Sequence, residues 1–317
     1  MKRLTQTFAM LLLTLLMLVS CEETNPVETP DIPSAPKNLR ANARDEASIA
    51  IKWDASASES DTMVYYIEIS STGSDVIAPV TANKSQHSWV FTTLKPGNKY
   101  TFTVYSKYSG GSKCTNPPSI MWATAKRIKD AMLYETASSY GSGLALYDAT
   151  TGGAKNYKVA NGDKWDIGLD TRKVGTNDEW DIGSPSLLSY NYPSGTRTTL
   201  TQQKTNYEAT NNITNIDDVY DTDILAPDIA RYYDFTDVTT GFVFAVKTAD
   251  GNFAKVFVKA NGGKLLQGAS PNRYVVVDIS YQMTSGIPYA LFGGKGEMPD
   301  IPGLVVSTSK KVVPGNK

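Results

Sequence analysis

Across the first third of the chain apolar side chains recur at every second position in short runs, and turn-forming residues close each run. Ser48-Ile49-Ala50-Ile51-Lys52-Trp53 sets Ile49, Ile51 and Trp53 on alternating positions. Tyr65-Tyr66-Ile67-Glu68-Ile69 follows the same rule. Only an extended strand places every second side chain on one face, so this period predicts half-buried β-strands with one face towards a core.

The second half repeats the signal in longer apolar runs. Gly241-Phe242-Val243-Phe244-Ala245-Val246-Lys247 and Phe253-Ala254-Lys255-Val256-Phe257-Val258-Lys259 flank Thr248-Ala249-Asp250-Gly251-Asn252. Asp-Gly between two such runs predicts a hairpin closed by a tight primed turn. Tyr274-Val275-Val276-Val277-Asp278-Ile279-Ser280-Tyr281 is β-branched on both faces, which predicts a central strand. The polar, Thr/Asn-rich stretch 190–214 reads as long loops. The expected fold class is all-β.

The amino terminus has a different character. Lys2 and Arg3 precede an apolar run from Phe8 to Val19. That run is short of the roughly 20 residues that span a bilayer and has the form of an export leader. Leu18-Val19-Ser20-Cys21 resembles the lipobox of bacterial lipoprotein precursors. The resemblance implies cleavage before Cys21, lipid on the Cys21 sulfur, and a chain held on a membrane through that anchor, outside the cytoplasm. Residues 1–20 are then a signal peptide and 21–35 a tether. Rich in Pro, Glu and Thr, the tether has little to bury; at about 3 Å per residue it reaches some 40 Å. Glu22-Glu23 beside the anchor is similar to the signals that send Bacteroidetes-type lipoproteins to the cell surface.

Charge and cysteine content narrow the partners. The whole chain has 31 basic and 32 acidic side chains, and loss of Lys2 and Arg3 leaves 29 basic ones. A balance this close to zero argues against nucleic acid as a partner. Beyond Cys21 the only cysteine is Cys114, in the run Gly110-Gly111-Ser112-Lys113-Cys114, where it reads as an incidental loop thiol. No intramolecular disulfide is available, so apolar burial has to stabilise the fold.

Residues 36–125 carry a more specific pattern. In Leu94-Lys95-Pro96-Gly97-Asn98-Lys99-Tyr100 the Leu, Pro and Tyr have the spacing of a tyrosine corner, in which the phenol oxygen ties a loop to the start of a strand. With Pro33-Ser34-Ala35-Pro36-Lys37-Asn38-Leu39 at one edge and Trp122-Ala123-Thr124-Ala125 at the other, the segment resembles a fibronectin type III domain. Such a domain implies a sandwich that acts as a spacer or docking surface.

In residues 128–310 three segments are similar to the HmuY family of haem-binding lipoproteins. They are Gly162-Asp163-Lys164-Trp165-Asp166-Ile167-Gly168-Leu169 with Thr176-Asn177, then Thr248 to Val256, then Tyr274 to Gln282. The resemblance implies a second, mainly antiparallel β domain holding haem or another porphyrin through two axial side chains, histidines or in some members methionines. This half contains no histidine; its methionines are Met132, Met283 and Met298. Because tyrosine also holds haem iron, the candidate ligands are Met283, Met298 and Tyr192, with Tyr190 close to the last.

Other chemistry is sparse. His87, the sole histidine, precludes a Ser-His-Asp or His-rich zinc constellation in the second half and reads as a half-exposed strand or loop residue. Gly293-Gly294-Lys295-Gly296 lacks phosphate-loop spacing. Asp217, Asp218, Asp221, Asp223 and Asp228 lack the glycine and terminal glutamate of a calcium loop and read as an acidic, solvated loop. Trp165-Asp166-Ile167-Gly168 recurs as Trp180-Asp181-Ile182-Gly183, which suggests two strands of one hairpin with paired tryptophans. The expected function is therefore non-catalytic binding by a surface-exposed outer-membrane lipoprotein, with haem or another porphyrin as ligand and haem acquisition as the role. The alternative is a surface interaction protein that binds a polysaccharide or a protein, with the fibronectin type III domain as spacer.

Overall fold

The structure, a computed structural model, describes residues 32–158, 164–171, 180–184, 199–200, 213–224, 227, 232–235, 238–288 and 304–307. The signal peptide, Cys21, Thr176-Asn177, Tyr190, Tyr192, Asp228, Gly293–Gly296 and Met298 lie outside the described residues. Among those described, the only helical elements are two three-residue 3-10 turns, Ile216–Asp218 and Asp221–Asp223. The protein is all-β.

Seven strands build the first unit: β1 (Lys37–Ala43), β2 (Ile49–Asp54), β3 (Met63–Ser71), β4 (Val80–Asn83), β5 (Ser88–Phe91), β6 (Lys99–Tyr108) and β7 (Ser119–Ala123). They form two antiparallel sheets, in the orders β1-β2-β5 and β4-β3-β6-β7. The period-two pattern decides which side chains are enclosed between them: Ile49, Ile51 and Trp53 from β2 meet Tyr65, Ile67, Phe102 and Val104 from β3 and β6. The tyrosine corner is present. Tyr100 is fully buried, its Oη accepts from Lys95 N at 2.7 Å and donates to Lys95 O at 3.3 Å. Cys114 differs from expectation. Its amide donates to Ser106 O, which draws the residue against β6, and only 4% of it is exposed.

The second unit contains β8 (Lys126–Tyr134), β9 (Gly143–Asp148), β10 (Gly153–Tyr157), β11 (Ile167–Asp170), β12 (Trp180–Gly183), β13 (Thr199–Leu200), β14 (Tyr232–Phe235), β15 (Phe242–Lys247), β16 (Phe253–Lys259), β17 (Tyr274–Tyr281) and β18 (Leu304–Ser307). One sheet runs β10-β9-β11-β12-β14-β18 and the other β13-β15-β16-β17-β8. Their inner faces share one core, to which Leu144, Leu169 and Ile182 contribute from the first sheet and Phe244, Val256 and Val277 from the second. As expected, β17 is flanked on both sides, by β16 and β8.

Two local expectations change. The hairpin β15–β16 forms, but its loop is longer than a primed two-residue turn. Thr248 N donates to Asn252 O and Gly251 N to Thr248 O, so three residues cross between the strands. Gly251, at φ +81°, takes the left-handed position that follows a type I turn. The Trp-Asp-Ile-Gly segments do pair, as β11 with β12. Their tryptophans do not meet, because antiparallel pairing reverses one copy. Trp180 lies opposite Phe235, while Trp165 precedes β11 and packs on Gly143.

Candidate functional site

Two features of one sheet face stand out: a buried junction with the first unit at one end and an exposed group of tyrosines at the other. Only Thr124 and Ala125, both buried, separate β7 from β8. In the second unit, the five-stranded sheet turns Val243, Ala245 and Phe257 outward, and they join Ile216, Val219 and Ile224 in a cluster continuous with the core of the first.

Polar groups complete this junction. Lys255, on β16, is fully buried. Its ammonium has three donors and meets Asp221 Oδ1 at 2.5 Å, Asn42 Oδ1 at 2.7 Å and Val219 O at 2.8 Å. Asp221 Oδ2 accepts from Ala43 N at 2.7 Å and Trp122 Nε1 at 3.0 Å, and Thr222 Oγ1 accepts from Ala41 N. Ala41 and Ala43 belong to β1, the edge strand of its sheet, so the 221–223 turn satisfies edge amides that would otherwise be open to a foreign strand. Arg127 donates to Ala43 O and pairs with Asp217, which also accepts from Asn42. The expectation of a solvated acidic loop is thus corrected at its centre: Asp221 is fully enclosed and joins the two units. Burial pushes its carboxyl up and the Lys255 amine down, and the opposed charge of each partner offsets only part of that drift.

Some six residues along β17 from this junction, roughly 20 Å at strand rise, the same face carries Tyr274 opposite Tyr134 and Val276 opposite Met132. Tyr140, 61% exposed, comes from the turn after β8. The Tyr134 ring centroid is 4.8 Å from that of Tyr140 and 5.7 Å from that of Tyr274, with interplanar angles of 32° and 54°. Burial first, then the neighbouring Tyr140 and Tyr274 hydroxyls, raises the Tyr134 phenol above its ordinary value.

A buried ion pair fixes these rings from beneath. Glu135, 1% exposed, accepts from Arg273 N at 2.7 Å, Arg273 Nη2 at 2.7 Å, Arg273 Nε at 3.0 Å and Thr171 Oγ1 at 2.5 Å. Each charged residue is the chain neighbour of a platform tyrosine, Tyr134 or Tyr274. Ser138 Oγ donates to Asn272 Oδ1 and so ties the turn bearing Tyr140 to the segment before β17. Gln267 exchanges both backbone bonds with Tyr274, and Asn156 Nδ2 donates to Met132 O. Asn156 Oδ1 and Gln267 Nε2 are enclosed without a hydrogen-bond partner.

Of the expected haem ligands, Met283 is described. It is 47% exposed and sits between Gln282, whose Nε2 donates to Ala123 O at the junction, and Thr284. Met298 and Tyr192 lie outside the described residues, as does Cys21. His87 is half-exposed as expected; its Nε2 is 2.7 Å from Glu59 Oε2, which also accepts from Tyr65 Oη. No three His, Cys, Asp or Glu side chains among the described residues form a group suited to a metal ion. On the outer face of β3 and β6 an open groove of about 290 Å³ is lined by Glu68, Ile69, Ser70, Pro79, Thr101 and Thr103. Its one charged group, Glu68, is engaged by Lys113, which also stands over the rings of Tyr66 and Tyr105.

Sequence reasoning missed the tyrosine platform because its members are scattered along the chain. The one available signal was Tyr274 at the start of an apolar strand.

Residues 34–121 match the family model of the fibronectin type III domain. No curated protein matches the chain. Among solved structures it is similar to a myokine, at 17% identity over 29% of this chain and 97% of that one, with a TM-score of 0.26. A redesigned β-sandwich protein aligns at 15% identity over 29% of this chain and 96% of that one, with a TM-score of 0.25. The FN1–FN3 domains of chicken CNTN1 align at 17% identity over 29% of this chain and 32% of that one, with a TM-score of 0.26.

Proposed function

We propose that this chain is a non-catalytic interaction protein of the cell envelope, lipid-anchored at Cys21, in which the fibronectin type III domain is a stiff spacer and the second domain binds a ligand outside the cell. The observation that supports it best is the enclosed Lys255–Asp221 pair. A two-residue linker and a junction of this kind make the two sandwiches one body, so motion is left to the tether at 21–35. A binding surface carried on the far end of that body is held away from the membrane at a defined distance. The HmuY-like character of the second domain enters this reading as scaffold. Haem acquisition, the ligand class that the resemblance implies, rests on Met283, Met298 and Tyr192.

Protease treatment of intact cells tests the location. Cleavage within 21–35 should release a folded fragment beginning near Pro36, and protection in whole cells with cleavage only after lysis overturns the outward-facing reading. Haem titration of the soluble protein from Pro36 onward tests the ligand class. A Soret shift at micromolar protein would establish porphyrin binding, whereas an unchanged spectrum is expected here.

A further inference from the structure

We infer that Tyr134, Tyr140 and Tyr274 form a binding platform for a neutral glycan, with sugar rings stacking on the phenol rings and hydroxyls meeting the side-chain amides around them. The inference rests on the proposed outward-facing role and names the ligand class for it.

Three observations carry it. First, an aromatic side chain 61% exposed beside two half-buried ones is an arrangement that folding alone does not favour, since Tyr140 leaves most of its ring in water. Tyrosine is apolar on its faces and polar at its tip, which suits a partner with the same division. A pyranose has that division: C–H groups on its faces and hydroxyls round its edge.

Second, the rings are not coplanar. Tilts of 32° and 54° between neighbours prevent a rigid flat ligand such as a porphyrin from lying on all three at once. A glycan turns at each glycosidic bond and can follow such a surface ring by ring, and centroid spacings of 4.8 and 5.7 Å are comparable to one hexopyranose per step. The Tyr134 hydroxyl is engaged within the platform, donating to Met132 Sδ at 3.0 Å.

Third, amides and hydroxyls adjoin the rings, and the charges nearby are paired. Asn272, Ser138, Asn156 and Gln267 lie about the tyrosines, Glu135 pairs with Arg273 below them, and Lys259, opposite Val276 on the same face, pairs with Asp130 and Asp278. Asn156 Oδ1 and Gln267 Nε2 are enclosed with nothing to bond, which costs free energy in the unliganded protein.

The test uses the soluble protein from Pro36 onward and affinity electrophoresis or calorimetry against dextran, mannan and a mixed-linkage β-glucan, with hyaluronate as an acidic comparison. Binding to at least one neutral polymer is expected. Tyr140→Ala should weaken it about tenfold or more, the effect of removing one stacked anchor, with an unchanged melting temperature because the ring is mostly exposed. Asn272→Ala should weaken it less. Failure to bind any neutral polymer, while whole-cell protease still reaches the tether, overturns the glycan assignment and leaves the surface-interaction reading standing. Binding that survives Tyr140→Ala and Tyr274→Ala undiminished places the site elsewhere and overturns the platform. A haem Soret change that Tyr140→Ala abolishes replaces the glycan with a porphyrin.

Discussion

Lys255 and Asp221 meet at 2.5 Å with both side chains fully buried, one on the central hairpin of the second domain and the other on the turn that covers the edge of the first. The ammonium also donates to Asn42 Oδ1 and Val219 O, and the second carboxylate oxygen accepts from the Ala43 amide and the Trp122 indole. A buried pair of this type is not itself a strong net source of stability, because desolvation offsets much of the attraction. Its loss on one side is another matter, since the partner is then buried and uncompensated.

Lys255→Met should therefore destabilise the protein by about 3–5 kcal/mol. Adding Asp221→Asn, which removes the stranded charge and keeps an acceptor for Ala43 N, should recover part of that loss, so the two effects should not add. Urea unfolding of the single and double variants reads both quantities. Equal and additive losses would mean that the pair does not couple the domains.

Tyr100→Phe removes a hydroxyl that accepts from Lys95 N and donates to Lys95 O, while leaving the buried ring in place. The expected loss is about 1 kcal/mol, measured as a lower urea midpoint with an unchanged slope. An unaltered midpoint would show that water replaces the phenol oxygen at the corner.

Gly143 on β9 has no room for a side chain: a Cβ there would lie 2.3 Å from the Trp165 ring, which is itself 1% exposed. Gly143→Ala should cost about 1–3 kcal/mol through overpacking and change the tryptophan fluorescence. Gly153→Ala, where no atom lies within 4 Å of the added carbon, is the control and should leave the midpoint where it is.

The Glu135–Arg273 pair makes the platform end sensitive to acid. Burial alone would raise the Glu135 carboxyl, but hydrogen bonds from the Arg273 side chain, Thr171 and the Arg273 amide, with the guanidinium charge, outweigh it and hold the group below its ordinary value. A carboxyl depressed in the folded state stabilises the fold at pH values above its unfolded pKa, about 4.3, and loses that contribution as the pH falls through the folded value. Glu135→Gln should be less stable than the wild type at neutral pH, and the difference should shrink below about pH 4. A constant difference across the acid range would show that Glu135 does not titrate against Arg273.

Cys21→Ser should abolish lipid attachment and release the protein from the membrane fraction. Retention of the variant in the detergent-soluble membrane fraction would sink the anchor assignment.

Much of the strand content was legible in the sequence because alternation is a local property: Ile49, Ile51 and Trp53 lie on one face of β2 whatever the remainder of the chain does. The tyrosine corner was legible for the same reason, since Lys95 and Tyr100 are five residues apart. The Asp217–Asp223 segment was not, because composition marks it as polar and its partners are distant; Asp221 is 178 residues from Ala43 and 99 from Trp122. Nor was the platform, which brings Tyr134 beside Tyr274 through strand pairing across the whole second domain. Period two tells which face of a strand a side chain occupies. What covers that face, a second domain over Lys255 or open solvent over Tyr140, is decided only when the sheets assemble, because burial depends on neighbours in space and not on neighbours in the chain.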